Sequence, residues 1–218
     1  MAVFVLFGVT TPFAWDCVDS ADRLGDVPVC VDNWGGADPR LPNLAGLDGD
    51  VDHLLPCIVA PSSARHRAAA AHHAVDAGFR NFRSLVDPTA VVSRRAQIAH
   101  GAYVGAATVI GPHSTVGCHA LINRSSSLGH NVTVAFGATI GPGATLTGGV
   151  SVGPVAFVGA RATVLPGVQL GAGCIVGAGA VVTRSVGASS VVTGNPARPL
   201  RLDPLNGIPL VCPICSSS

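Results

Sequence analysis

From Val86 to Gly187 the chain repeats every six residues without a slip in phase. The first place of each hexapeptide is a branched aliphatic residue, running Val86, Val92, Ile98, Val104, Ile110 and on to Val176 and Val182. Four residues later stands a small or β-branched residue, as at Ala96, Ala102, Thr108, Ser114, Ala138, Ala162 and Cys174. Glycine often fills the second place, as at Gly105, Gly111, Gly129, Gly141, Gly153 and Gly171. Six residues make a short strand and a turn, with the aliphatic side chain pointing inward and the small one beside it where the chain bends. Seventeen such units, three to a coil, predict a triangular parallel β-helix of five to six coils. At roughly 4.8 Å per stacked strand the prism would be about 27 Å long. A sandwich of Gly- and Val-rich strands would not hold one phase over this distance.

The inward face accounts for a mean hydropathy of +0.49 with only 11% charged residues. No run approaches the roughly 18 apolar residues of a spanning helix, so no membrane partner is expected. Residues 2–8 are apolar but lack a basic residue before them and a small-x-small site after them, so they read as a buried strand, not a signal peptide. The net charge is +1, every basic residue but the histidines is arginine, and no basic block is present to grip nucleic acid. Seven cysteines without framework spacing read as reduced thiols of a cytoplasmic protein.

Ahead of the repeat the pattern predicts a strand at 2–8, a helix from about Pro12 to Leu24, and a strand from Val27 to Val31. A loop follows from Asn33 to Asp52, then a strand from Leu55 to Ala60. A helix from Ser62 to Ala77 has Ser62 or Ser63 available as its cap. This is a small Rossmann-like α/β unit, whose ligand crevice lies at the strand C-termini. Thr10, Thr11, Asp32, Asn33 and Ser62 are therefore the candidate substrate-binding residues. The expected organisation is an α/β substrate-binding domain at 1–82, a β-helix at 83–190 and an extension at 191–218. Val191 to Leu202 is expected to leave the prism. The single Cys212-x-x-Cys215 pair reads as part of a loosely ordered tail rather than as a zinc site.

Residues one coil apart stack on a regular prism. His130 occupies a corner, with Pro112 one coil before it and Gly148 one coil after. Gly148-Gly149 leaves that corner bare, so His130 borders a shallow groove, and Asn123 sits near the preceding corner. His100, His113, His119 and His130 fall at different places of their units and form no evident triad, so no metal is expected.

The stretch Leu121 to Val152, together with VGAGAVVTRSV at 176–186 and GNPAR at 194–198, resembles the hexapeptide acyltransferases of the sialic-acid O-acetyltransferase and nucleotide-amino-sugar N-acetyltransferase family. The spacing from Ile122-Asn123 to His130 is its most specific element. The resemblance implies a mainly β protein with a left-handed prism, and a homotrimer with acetyl-CoA between adjacent prisms. It implies His130 as general base and Asn123 as part of the active-site wall. Gly148 would offer a backbone N–H near the thioester, and Thr139, Ala160 and Ala178 would line the CoA arm. Three departures stand out. The residue after the base, commonly acidic in the family, is Asn131. A second histidine nine residues after the base is Thr139. The loop after the first strand reads Gly8-Val9-Thr10-Thr11-Pro12, which offers fewer N–H groups to a pyrophosphate.

The expected function is transfer of an acetyl group from acetyl-CoA to an amine or hydroxyl of an amino sugar, possibly nucleotide-linked. His130 and Asn131 would carry the proton chemistry, since imidazole is the side chain that titrates nearest neutrality. The alternatives are a secondary-metabolite acceptor with another acyl-CoA, or a β-helix scaffold that has lost catalysis.

Overall fold

The computed structural model describes residues 1–46 and 51–215. The predicted 33–52 loop and the predicted tail each lie partly outside the described residues. Seven elements lead from the N-terminus into the first coil: β1 (Val3–Phe7), α1 (Phe13–Leu24), β2 (Val27–Asp32), β3 (Ala45–Gly46), β4 (Cys57–Val59), α2 (Ala64–Asp76) and β5 (Leu85–Val86). The first four strands form a parallel sheet in the order β3-β2-β1-β4. Alternation along β1 explains the three layers. Phe4 and Leu6 pack with Phe13, Ala14 and Cys17 of α1, while Val5 and Phe7 pack with Ala70, Ala71 and Ala74 of α2. The short β3 was hidden within the predicted loop, because Ala45–Gly46 is too short to show alternation. Ser63 occupies the N-cap position of α2 in an extended conformation, but no serine side chain makes the expected capping hydrogen bond.

Strands β5 to β21 are two residues each and follow at six-residue intervals, ending at Val181–Val182. From β5 to β18 each pairs in parallel with its counterpart one coil on, as in Thr115↔Thr133, Leu121↔Thr139 and Ser127↔Thr145. Three faces result. The first carries the strands beginning at Leu85, Tyr103, Leu121, Thr139, Phe157 and Ile175; the second those at Val91, Val109, Ser127, Thr145, Thr163 and Val181; the third those at Gln97, Thr115, Thr133, Ser151 and Gln169. The second residue of each pair points inward, so Ile110, Val116, Ile122, Leu128, Val134 and Ile140 form one buried column with Ala120, Ala138, Ala144 and their equivalents. At the turns the chain visits the left-handed region, on glycine at corners such as Gly137 and Gly149 and on other residues about as often, among them His113, His119, Arg161 and Asn131 (φ 57°), the last a residue type that tolerates it.

The prism continues further than expected. β22 (Ser190–Thr193) stacks in parallel on the Ile175 strand and then pairs antiparallel with β23 (Arg198–Leu202), so residues 190–193 still belong to the first face. The tail is also not loose over its described length. Ile208, Leu210 and Ile214 pack against a cluster of Ala64, Ala68, Phe136 and Val155 that buries Cys212, and Arg65 pairs with Asp203 at 2.8 Å. The short apolar residues of 205–214 have no periodicity to reveal this docking.

The α/β unit covers the first face. Leu85, Tyr103 and Leu121, the outward residues of that face, belong to the core beneath α1. Two buried polar groups fix the join. Asp87 accepts hydrogen bonds from Ser20 (2.7 Å) and Arg23 (2.7 Å) of α1, and from the Thr89 hydroxyl (2.6 Å) and amide (2.9 Å). Burial alone would raise its carboxyl, but these donors outweigh burial and hold it below the ordinary carboxylate range. On the α2 side Arg67 is 1% exposed. Its guanidinium donates to the carbonyls of His119 (2.7 Å), Pro61 (3.0 Å), Ser62 (3.1 Å), Gly137 (2.7 Å) and Ala138 (3.0 Å), and to the Thr139 hydroxyl (2.7 Å). Every acceptor is neutral, and burial pushes the guanidinium down to about 9. The charge is held by fixed carbonyl dipoles from both units.

Two outcomes test this join. Arg67→Met keeps the stem but orphans buried carbonyls, at about 1–3 kcal/mol for each group left unsatisfied. Thermal unfolding should shift down by several degrees, and an unchanged midpoint would show that the clasp contributes nothing. For Asp87 the folded carboxyl titrates lower than the unfolded one. Its stabilisation is therefore present above about pH 4 and lost as pH falls through the folded value. Asp87→Asn should be less stable at pH 7 and show a shallower loss on acidification, measured as unfolding midpoint against pH.

Candidate active site

His130 stands on the edge between the second and third faces, in the turn after the Ser127–Leu128 strand, and its side chain is exposed. The Asn131 side-chain carbonyl accepts a hydrogen bond from Nδ1 at 2.9 Å. With Nδ1 as donor, Nε2 keeps its lone pair and is available as a base. The ring lies over Gly148, where an added Cβ would fall 2.5 Å from Nε2 and 2.7 Å from Cε1. A bare residue one coil on is therefore what lets the imidazole lie there. The Gly149 N–H donates to the His130 carbonyl (2.9 Å), whereas the Gly148 N–H has no hydrogen bond among the described residues. One edge thus presents an unblocked imidazole nitrogen beside an unengaged amide.

The other expected residues lie elsewhere. Asn123 is at the edge between the first and second faces, where its side-chain oxygen accepts the Arg124 N–H at 2.8 Å. Ala160 and Ala178 stack on successive coils above Pro142 on that same edge. No hydrogen bond among the described residues joins Asn123 to His130. Within one chain the expected site is split between two edges that bound the uncovered second face. Thr139 departs from expectation. It is 3% exposed, its hydroxyl accepts Arg67 and donates to the Ser62 carbonyl (3.4 Å), and it lies beneath α2 instead of on an open CoA-lining surface. The six-residue phase gives it the outward place of a strand, as found, but the α/β unit covers that strand.

The crevice at the strand C-termini is present. Thr10 and Thr11 line both a cavity of about 320 Å³ reaching Trp15 and Arg40 and a neighbouring one of about 210 Å³ reaching Trp34 and His66. The Thr11 hydroxyl and, just past the end of β2, the Asn33 side-chain carbonyl are buried without a hydrogen-bond partner among the described residues. The Asn33 amide donates to His73 Nδ1 at 3.0 Å. Asp32 does something other than face a ligand: its carboxylate accepts the N–H groups of Trp34 (3.2 Å), Gly35 (2.7 Å) and Ala37 (2.9 Å) and shapes the loop. Ser62 offers its carbonyl to Arg67. Trp34, which sequence reasoning passed over, is 46% exposed and stacks on His73 at 6.4 Å. A shallower groove of about 390 Å³ lies further along the third face, lined by residues such as Ser151, Gln169 and Ser185 and by no ionisable side chain, so it can hold a ligand but do no proton chemistry. Of the residues able to hold a metal, His100, Cys118, Cys212 and Cys215 do converge, at the edge between the third and first faces.

Residues 149–184 match the family model described as bacterial transferase hexapeptide (six repeats). No curated protein matches the chain in sequence. A solved structure of a variant of perosamine N-acetyltransferase from Caulobacter crescentus, in complex with CoA and GDP-perosamine, is 31% identical with a TM-score of 0.81, over 92% of this chain and 97% of that one. The acetyltransferase domain of PglB from Neisseria gonorrhoeae, in complex with acetyl coenzyme A, is 26% identical with a TM-score of 0.82, over 91% and 98%. WeeI from Acinetobacter baumannii, at 20% identity and a TM-score of 0.72 over 92% and 100%, shares the fold. The seventeen-strand prism is the left-handed parallel β-helix of this group. By sequence, architecture and coverage the chain belongs to the hexapeptide-repeat acetyltransferases of nucleotide-linked amino sugars.

Proposed function

We propose that the chain transfers the acetyl group of acetyl-CoA to the amine of a nucleotide-linked amino sugar, with His130 as general base. The observation that carries this reading is the His130 edge, where Nε2 is bare, Nδ1 is held by Asn131, and the ring lies beside Gly148. In the step, Nε2 takes a proton from the acceptor nitrogen as that nitrogen bonds to the thioester carbon. The C–S bond then breaks and the proton passes to the departing thiolate. A positioned base of this kind contributes about 10²- to 10⁴-fold. The unengaged Gly148 N–H is suited to the oxyanion of the tetrahedral intermediate. Asn131 orients the ring without adding the negative charge that would favour its cation.

The acceptor's nucleotide fits the α/β crevice. The exposed indole of Trp34 offers a stacking surface, and Thr10, Thr11, Arg40 and His66 line the adjoining cavities. The GDP-perosamine in the Caulobacter crescentus structure favours this class of acceptor. The crevice belongs to the unit covering the first face, whereas His130 stands on the opposite edge. One chain therefore does not bring acceptor site and base together. A cyclic homotrimer, in which the Asn123 edge of one chain meets the His130 edge of the next across the uncovered second face, would do so. Val91 and Val109, 65% and 46% exposed on that face, are apolar surface that such an assembly would cover.

Thiol release from acetyl-CoA with a panel of nucleotide-linked amino sugars tests the activity. His130→Ala should lower kcat at least a hundredfold with the unfolding midpoint and oligomeric state unchanged; unaltered turnover would remove His130 from the mechanism. Gly148→Ala should lower kcat comparably, because the new methyl occupies the space of the imidazole. Wild-type turnover in that variant would mean that the ring works in another position.

A further inference from the structure

The tail carries a site that the acetyl transfer does not use. His100 and Cys118 hold the same corner position on successive coils, so one stacks above the other on the edge between the third and first faces. The described tail folds back over that edge and brings Cys212 and Cys215 to them. All four donor atoms lie within 4.8 Å of one another. The Cys118 and Cys215 sulfurs are 3.6 Å apart, and His100 Nε2 is 3.3 Å from the Cys215 sulfur and 3.6 Å from the Cys212 sulfur.

These separations have a chemical meaning. A disulfide requires sulfurs at about 2.05 Å, and none is formed among the described cysteines. Thiols are weak hydrogen-bond donors and would not by themselves gather three sulfurs around one imidazole. A tetrahedral zinc ion with Zn–S near 2.3 Å and Zn–N near 2.0–2.1 Å sets its ligands about 3.8 Å apart for S···S and about 3.5 Å for S···N. The three separations of 3.6, 3.3 and 3.6 Å lie close to those edges. The imidazole is held in place as well: His100 packs edge-on against His119 (5.6 Å) and near Phe82 (6.4 Å), and His119 is itself wedged between Phe82 (4.8 Å) and Phe136 (6.0 Å). Phe136, Leu210 and Ile214 pack around Cys212, the buried member of the cluster, while His100 and Cys118 are half-buried and Cys215 is exposed.

We infer that His100, Cys118, Cys212 and Cys215 bind one zinc ion per chain in a closed Cys3His site that staples the C-terminal tail to the β-helix. All four positions are filled by protein, as in structural zinc sites, and the site stands on a different edge from His130. Soft thiolate donors with one imidazole favour zinc over hard cations. The tail lies against Ala64 and Ala68 of α2, so the ion would also stabilise the seat of the α/β unit.

Metal analysis of the full chain, purified without chelator, should find one zinc per chain. Replacement by cobalt(II) should give the sulfur-to-metal charge-transfer and intense visible bands of a tetrahedral thiolate site. Cys212→Ser/Cys215→Ser should lose the ion and those bands, whereas Cys174→Ala, in the prism core, should retain both. Chelation should make the tail susceptible to limited proteolysis. Wild-type protein without bound zinc and without cobalt bands would overturn the assignment, as would a Cys118–Cys215 disulfide found by non-reducing peptide mapping. If the double variant does not fold, the cobalt spectrum of the wild-type chain, bleached by chelator and restored by zinc-free cobalt, decides the matter alone.

Discussion

Stacking of one coil upon the next governs everything else in this protein. Each two-residue strand is too short to stand alone, and each inward aliphatic needs the ones above and below it to exclude water. Once coils stack, every position acquires a fixed face or edge. The period brings Gly148 over His130, Thr139 above Leu121, and Cys118 above His100. The chemistry of the molecule is an outcome of which residues occupy the corners of consecutive coils.

The three faces of the prism then have different fates. The first is covered by the α/β unit, and the join depends on two ionic groups withdrawn from water. Asp87 is satisfied by donors from α1 and its own turn, and Arg67 by neutral carbonyls. Buried charges of this kind tolerate little displacement, because each lost partner leaves an unsatisfied group in a low-dielectric setting. They set the orientation of the α/β unit on the prism as much as they hold it there. In consequence the crevice at the strand ends, with Thr11 and Trp34, belongs to the unit over the first face, whereas His130 stands on the edge between the other two.

The edges divide the remaining roles. The edge at His130 is open, with the bare Gly148 beneath the ring. The edge at His100 and Cys118 is partly covered by aromatic rings and by the tail. Two corner histidines of one prism therefore meet different neighbours, Asn131 and Gly148 at His130 and three sulfurs at His100. Their surroundings, not their residue type, separate them.

Much of this was readable in the amino-acid order. The hexapeptide phase is a local pattern repeated often enough to determine the β-helix and the inward column from Val86 to Val182. His130 and its bare neighbour Gly148 follow from the same coil-to-coil arithmetic, and the alternating apolar residues of 3–7 announce the buried first strand. What the order of residues could not reveal depends on contacts between segments far apart in the chain. Thr139 reads as an exposed outward residue until α2 is laid over it and Arg67 takes its hydroxyl. Asp32 reads as a crevice ligand until its loop closes on it. The single Cys-x-x-Cys pair looks like an idle tail until the chain returns past most of the prism to Cys118. Periodicity reports only what a segment does with its own neighbours; which unit covers which face, and which sulfur meets which imidazole, is decided by packing between surfaces that no local pattern encodes.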